Sequence, residues 1–135
     1  MSGYRSGAHT KHKIRIHLVW VPKYRKRVLR GNITVRLKEL LYEGCSINNW
    51  EIQELAIMPD HVHILIQINA SDSISSVVHR LKGGSSKVIR HEYPELKEFL
   101  WGDSFWSDGY FAESVGIANE EVIRRYIKDQ RKSMP

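Results

Sequence analysis

Two histidines stand one residue apart in the stretch "MPDHVHILIQI", which runs from Met58 to Ile68. Side chains of a strand alternate between its faces, so His61 and His63 are predicted to share one face, with Cα atoms roughly 6.5 Å apart. Two imidazoles can reach one metal ion from that separation. The opposite face is predicted to pack on helices through Val62, Ile64, Ile66 and Ile68. The histidine face continues with Leu65 and Gln67, and we expect it to be open to a ligand.

A purely structural role is the alternative for this pair, because histidine has many hydrogen-bonding uses on a polar sheet face. A metal site would need further ligands at suitable spacing. Cys45 is the only thiol of the chain, and no C-x-x-C spacing occurs. A closed structural zinc site is therefore not predicted.

The last segment, "NEEVIRRYIKDQRKSMP", carries a second pair of side chains that could do chemistry. Its pattern predicts a helix that Asn119 can cap, with acidic residues in the first turn and basic residues near the end. Tyr126 and Gln130 are four residues apart and therefore share one helical face, about 6 Å apart along the axis. A core position would explain Tyr126 alone, but a buried amide such as that of Gln130 needs partners.

The rest of the chain supplies the elements that must position these residues. The patterns predict a strand over Lys13 to Val21, a helix from Asn32 to Gly44, and a hairpin of strands over residues 50–58 and 61–68. A helix follows from about residue 71 to residue 93, then an extended stretch over residues 105–116 that turns at Asp108-Gly109. This order predicts an α+β fold: a ferredoxin-like or RRM-like antiparallel sheet with helices on one face, plus a C-terminal helix that carries the tyrosine.

The composition is that of one ordinary globular domain of 135 residues, residues 1–135, with a flexible tail expected over residues 1–12. The lone cysteine suits a reducing compartment, and no apolar run is long enough to cross a membrane. We therefore expect a cytoplasmic protein that has no membrane partner. The net charge of +6 favours a polyanionic partner. The stretch "GGSSK" lacks the spacing of a P-loop, so no nucleotide cofactor is predicted.

The stretches "HLVWVPKYRKRVL", "PDHVHILI", "KGGSSKVIR", "FWSDGYFAESVG" and "EEVIRRYIKDQ" occur in this order and span nearly the whole chain. Together they resemble the single-tyrosine HUH transposases of the insertion-sequence 200/605 family, REP-associated relatives included. The H-x-H alone is a weak signal. The ordered set, with a tyrosine four residues before a glutamine on the last helix, is specific.

The resemblance implies roles for four residues. His61 and His63 match the metal-binding pair, Gln130 matches the third protein ligand, and Tyr126 matches the nucleophile. The expected metal is Mg²⁺ or Mn²⁺. The implied reaction is DNA transposition: cleavage and rejoining of single-stranded DNA at transposon ends through a 5′-phosphotyrosine intermediate. The implied partners are single-stranded DNA hairpins at the element ends and a second copy of the chain, in a homodimer with composite active sites. The expected location is the prokaryotic cytoplasm, in association with the nucleoid.

Basic residues around an aromatic ring suit a nucleic-acid backbone. The stretch "PKYRKRVLR" supplies the first candidates for DNA binding, and the helix after residue 71 supplies the second: Lys23, Tyr24, Arg25, Lys26, Arg27, Lys82 and Lys87. The later aromatic residues Trp101, Phe105, Trp106 and Tyr110 could stack on bases, but most of them are predicted to lie in the core.

Three other functions share these features. A domesticated relative could cleave or bind genomic hairpins without moving an element. A module of the same fold could bind nucleic acid without catalysis, which would leave the histidine pair unexplained. A replication initiator is disfavoured, because the chain is short and has no helicase-like domain.

Overall fold

The computed structural model describes residues 13–100 and 104–132, and the side chains of all of these except residues 99 and 100. The expected tail over residues 1–12 and the aromatic residue Trp101 lie outside this part. The strands are β1 (Lys13–Trp20), β2 (Glu51–Met58), β3 (His61–Asn69) and β4 (Phe111–Val115). The helices are α1 (Gly31–Ile47), α2 (Ile74–Glu92), the short α3 (Lys97–Leu100) and α4 (Ile117–Lys132), with 3₁₀ turns at Lys23–Arg25 and Pro94–Leu96.

The four strands form one antiparallel sheet in the order β2-β3-β1-β4. β1 and β3 take the centre, and β2 pairs with β3 through the tight connection at Pro59-Asp60. This confirms the predicted α+β, ferredoxin-like arrangement. The order leaves β2 and β4 at the edges, so β4 exposes one row of backbone hydrogen-bonding groups in the described chain.

The main core lies on one face of the sheet, under α1 and α2. The predicted alternation is correct there, because the even-numbered residues of β1 and β3 are buried: Ile16, Leu18, Trp20, Val62, Ile64, Ile66 and Ile68. Leu37 and Leu41 of α1 and Val77, Val78 and Leu81 of α2 pack against them. Because so many large apolar side chains interdigitate on this face, it supplies most of the burial that stabilises the sheet.

The histidine face is not open along its length, which corrects the expectation for Leu65. α4 packs across this face, and Leu65 is fully buried with Ala56, Val115 and Ile127 in a second, smaller apolar cluster. The physical reason is that α4 presents its Ile123 and Ile127 stripe and needs an apolar surface to cover. The end of the face that carries His61 and His63 lies next to Tyr126 and Gln130 of α4.

Ion pairs and a hydrogen bond connect α4 to the sheet. The Arg15 guanidinium lies 2.8 Å from the Glu120 carboxylate, and Arg131 lies 2.7 Å from the buried carboxylate of Glu54 on β2. Arg124 donates to Gln53 on β2 over 3.3 Å. α4 therefore rests on a small apolar cluster with a polar rim, separate from the main core.

The structure differs from the predicted element boundaries in three places. α1 continues past Gly44 to Ile47 because Cys45 adds a buried side chain, and one interior glycine costs only about 1 kcal/mol. α4 begins two residues before Asn119. The stretch from Phe105 is not extended throughout: Phe105 and Trp106 enter the core, and β4 begins only at Phe111.

No helix in the described ranges, 13–100 and 104–132, is both long and apolar enough to cross a membrane.

Candidate active site

His61 and His63 lie at the start of β3, on the face that α4 covers further along. Their ring centroids are 4.8 Å apart and their planes are nearly perpendicular. The strand alternation that places them on one face is the one that buries Val62 and Ile64 on the other. The structure therefore confirms that the two imidazoles are neighbours, as the spacing predicts.

Asp60 and Gln130 contact opposite nitrogens of the His61 ring. His61 Nδ1 lies 2.8 Å from Asp60 Oδ1, and His61 Nε2 lies 3.4 Å from Gln130 Oε1. A carboxylate can only accept, so Nδ1 carries the proton of this bond. Burial alone would raise the pKa of Asp60, but hydrogen bonds from His61 and Arg25 outweigh it and hold that pKa below its usual value.

Tyr126 and Gln130 meet on one side of α4, as their spacing predicts. The Gln130 amide nitrogen donates to the Tyr126 hydroxyl over 3.1 Å, which directs the amide oxygen toward His61. The Tyr126 ring lies edge-on to His63, with centroids 5.6 Å apart. Its side chain is 50% exposed, so Tyr126 is not the core aromatic of the structural alternative. A phenol in this position is accessible to a bound substrate.

His63 is buried, and its ring is held by a residue that the sequence patterns did not single out. His63 Nδ1 lies 3.1 Å from Nε2 of His17 on β1, and the two rings are stacked. Burial, together with the neighbouring His61 and His17, lowers the pKa of His63 to about 4. His63 is therefore neutral at neutral pH, which is the form that binds metals.

The imidazoles of His61 and His63 and the amide oxygen of Gln130 are suitable ligands for a divalent metal ion. In the described part of the chain, no three His, Cys, Asp or Glu side chains converge as a metal site, so a third protein ligand must be of another type. Gln130 Oε1 meets this need, because it faces His61 Nε2 at 3.4 Å. A neutral His61 would offer the lone pair of Nε2 to such an ion, and Gln130 would offer a carbonyl lone pair beside it. All three donors are neutral, so such an ion would keep its full charge.

All four predicted residues of this site come together within one chain. The helix that follows Gly116 folds back over its own sheet and brings Tyr126 to the histidines of the same molecule. The expected composite arrangement, in which two chains share each site, stays a prediction.

The basic loop between β1 and α1 docks beside this site. Tyr24 and Arg25 both have positive φ, 58° and 51°, which non-glycine residues rarely adopt. The Leu29 amide donates to the carbonyl of Pro59 over 3.0 Å, and the Arg25 guanidinium pairs with Asp60 at 3.0 Å. Asp60 thus contacts both the loop and His61. The side chains of Tyr24, Lys26 and Arg27 in this loop are exposed.

The two lysines of α2 lie in different settings. The Lys82 ammonium donates to the carbonyls of Ser107 and Gly109, over 2.7 and 2.9 Å, so it fastens the loop before β4. Burial lowers its pKa, although Asp108 nearby acts in the opposite direction. Lys87 is exposed beside a concavity that it lines with Arg36 and Arg90. A DNA contact by either lysine stays a prediction.

The aromatic residues before β4 divide between core and surface. Phe105 and Trp106 are buried, as predicted for most of this group, and the Trp106 indole donates to Ser85 over 3.0 Å. Tyr110 is exposed at 43%. Of the three that the structure describes, only Tyr110 is therefore available to stack on a base.

Known proteins match this chain over most of its length. A family model described as "Transposase IS200 like" matches residues 10–130. The ISDra2 transposase TnpA of Deinococcus radiodurans is 34% identical over 126 residues, which cover 93% of this chain and 90% of that protein. The transposase for insertion sequence element IS200 of Salmonella typhimurium is 34% identical over 130 residues, or 96% of this chain and 85% of that protein.

Solved structures agree with the fold. A Deinococcus radiodurans R1 protein described as a transposase has a crystal structure that superposes with a TM-score of 0.72 at 33% identity, covering 88% of this chain and 92% of that chain. A REP-associated tyrosine transposase, solved bound to a REP hairpin, superposes with a TM-score of 0.65. It is 15% identical and covers 90% of this chain and 67% of that chain, so this likeness concerns the fold.

The family model covers most of the chain, and two relatives above 30% identity cover nearly all of it. The chain therefore belongs to the IS200-like transposase family, and it is a DNA-cleaving enzyme of that family.

Proposed function

We propose that this protein cleaves and rejoins single-stranded DNA at transposon ends, with Tyr126 as the nucleophile. The observation that carries the proposal is the set of contacts around this phenol. The Tyr126 hydroxyl bonds to Gln130, the Gln130 oxygen faces His61, and the Tyr126 ring lies against His63. A half-exposed phenol beside three side chains that can bind a metal ion is suited to attack on an anionic ester.

The reaction is an exchange of one ester for another. The Tyr126 oxygen forms a bond to the phosphorus atom, and the bond from phosphorus to the 3′ oxygen of the DNA breaks. The phenol proton leaves, and a proton completes the freed 3′-hydroxyl. The product is a 5′-phosphotyrosine link that a second 3′-hydroxyl can attack in turn, so no high-energy cofactor is consumed.

His61, His63 and Gln130 would hold a divalent ion, Mg²⁺ or Mn²⁺. Its chemistry when bound is to polarise a non-bridging phosphate oxygen and to orient the phosphate. Two imidazole ligands favour Mn²⁺ over Mg²⁺, which prefers oxygen donors. The role of the protein is to prepare both imidazoles as ligands: burial keeps His63 neutral, and Asp60 fixes the orientation of the His61 ring.

We infer that the DNA substrate is a single strand with a hairpin. The fold relative solved with a REP hairpin supports this substrate class. The basic loop carries Lys23, Arg25, Lys26 and Arg27 next to the histidines, and it connects to them through Asp60. Phosphates bound there would place a flanking strand at Tyr126.

A homodimer with composite sites is part of the proposal. β4 is an edge strand in the described chain, and α4 follows it directly after Gly116, where a glycine permits a change of direction. α4 rests on a small apolar cluster separate from the main core. The same contacts could form on the sheet of a second copy at little cost, which would place Tyr126 beside the histidines of that copy.

The test is covalent trapping on a denaturing gel. The protein is incubated with labelled single-stranded DNA that carries the hairpins flanking its gene, with Mg²⁺ or Mn²⁺. We expect a shifted band that needs the metal and is lost in Tyr126→Phe and His61→Ala. Tyr42→Phe is the matched control, because Tyr42 on α1 is exposed to a similar extent, 45% against 50%, and lies on the other side of the sheet.

Two results would contradict the proposal in different ways. A covalent band in Tyr126→Phe would contradict the assigned nucleophile. DNA binding without any band, with either metal and with either flank, would instead support a hairpin-binding protein of the same fold.

A further inference from the structure

A third imidazole lies directly beside the metal-ligand pair. His17 of β1 is only 6% exposed, and its Nε2 lies 3.1 Å from Nδ1 of His63. The two rings are stacked, with centroids 5.3 Å apart and planes 23° from parallel. The Phe111 ring closes a further side of His17, edge-on at 5.7 Å. This packing gives His17 one orientation.

The other nitrogen of His17 contacts a carboxylate on β4. His17 Nδ1 lies 3.2 Å from Oε1 of Glu113. The strand register creates this contact, because His17 stands directly opposite Glu113 on β4 and opposite Leu65 on β3, two residues from His63. Three strands thus contribute to one chain of contacts, Glu113 to His17 to His63.

The carboxylate of Glu113 determines which nitrogen donates in each hydrogen bond of this series. A carboxylate accepts and cannot donate, so the proton between Glu113 and His17 belongs to His17 Nδ1. A neutral His17 then has a lone pair on Nε2, and this nitrogen accepts from His63 Nδ1. His63 is left with its own lone pair on Nε2, the nitrogen not engaged by His17.

We propose that His17 and Glu113 are positioning residues that hold His63 in the tautomer and orientation needed to bind the metal ion. This inference rests on the proposed function, because it takes His63 as a metal ligand. Asp60 has the same relation to His61, since it accepts from Nδ1 of that ring. Both histidines therefore present Nε2 through a carboxylate behind them, one directly and the other through His17. Such outer contacts fix the ring and increase its basicity toward a metal.

Burial of a histidine at this position would be energetically unfavourable if the side chain only filled space. The same position on β1 could carry an apolar side chain against Phe111 and Leu65, and burial of a polar ring is favourable only when its nitrogens are bonded. Both nitrogens of His17 are bonded, and one of them is bonded to a proposed ligand. The contacts point to orientation of His63 as the reason for the residue.

The test measures the metal and the tautomer directly, without DNA. Mn²⁺ affinity is measured from the loss of the free-ion electron paramagnetic resonance signal. The tautomer of His63 is measured in the metal-free protein from the ¹⁵N shifts of its ring. We expect the Nδ1–H form in the unmodified protein. His17→Phe should raise the Mn²⁺ dissociation constant roughly 10- to 100-fold and reduce the share of the Nδ1–H form.

Further variants keep the result interpretable. His17→Gln keeps an acceptor oxygen for His63 and should stay within about threefold of the unmodified protein. Glu113→Ala removes a half-exposed carboxylate, so it should fold normally, and it should weaken Mn²⁺ binding roughly tenfold. His79→Phe, an exposed histidine on α2, is the matched control.

Two outcomes would overturn the inference. One is an Nε2–H tautomer of His63 in the unmodified protein. The other is an Mn²⁺ affinity within twofold of the unmodified protein in both His17→Phe and Glu113→Ala, while His61→Ala binds weakly. Failure of the metal site itself has a different signature, since His61→Ala would then bind Mn²⁺ as well as the unmodified protein.

Discussion

The Gln130 amide donates to the Tyr126 hydroxyl over 3.1 Å, one helical turn away on α4. This bond orients both ends of the Gln130 side chain, because the oxygen then faces His61 Nε2. One residue thus connects the proposed nucleophile to the proposed metal ligands.

Replacing Gln130 with alanine should impair both functions. We expect Mn²⁺ affinity and the rate of covalent DNA attachment each to fall at least roughly 10- to 100-fold, since a direct ligand matters at least as much as an outer contact. Thermal stability should change little, because Gln130 is not in either apolar cluster. Asp129→Ala, the exposed neighbour, is the control, and equal losses in both variants would argue against the assignment.

Complementation between variants should reveal whether sites are shared between chains. Tyr126→Phe keeps the histidines, and His61→Ala keeps the tyrosine. If α4 exchanges in a dimer, a mixture of the two inactive variants regains part of the activity, because one mixed site has both intact groups. Activity is measured by covalent trapping, and the dimer by light scattering. A stable dimer whose mixture stays inactive would show that each chain uses its own Tyr126, as in the fold described above.

The basic loop should contribute affinity that depends on salt. Arg27→Ala removes one exposed cation, so the slope of log affinity against log salt should become shallower by about 0.7 for single-stranded DNA. The loss should be similar for different sequences, because phosphates are not specific to bases. Lys38→Ala, an exposed lysine on α1, is the control, and an unchanged slope in Arg27→Ala would exclude that contact.

The sequence predicted those parts of the site that local spacing determines. Strand alternation placed His61 and His63 together, and the four-residue spacing placed Tyr126 beside Gln130. The same alternation predicted the buried face of β3. These features depend only on neighbours a few residues away, so no knowledge of the tertiary structure was needed.

The parts that were missed depend on pairing between distant segments. His17 meets Glu113 only because β4 pairs with β1 in one particular register, 96 residues apart in the chain. Leu65 was expected to face a ligand, but α4 covers it, and no local pattern shows where that helix docks. Asp60 could have been found, since it directly precedes His61 at a predicted turn.

The thiol of Cys45 should be unreactive in the folded protein. Burial raises its pKa from 9.0 to about 12. At pH 8, this makes the thiolate fraction roughly a thousandfold lower than that of an unperturbed thiol, and the thiolate is the reactive form. A thiol-reactive chromophore should therefore label Cys45 slowly in buffer and quickly in guanidinium chloride. Equal rates in both would contradict its position in the core under α1.

Tyr126 is the residue proposed to form the covalent bond to DNA. The most direct measurement isolates the covalent complex, digests the DNA with nuclease and the protein with protease, and locates the remaining nucleotide by tandem mass spectrometry. The proposed chemistry predicts a 5′-phosphonucleotide on the phenolic oxygen of Tyr126. A nucleotide on any other residue, or one attached through its 3′ phosphate, would contradict it.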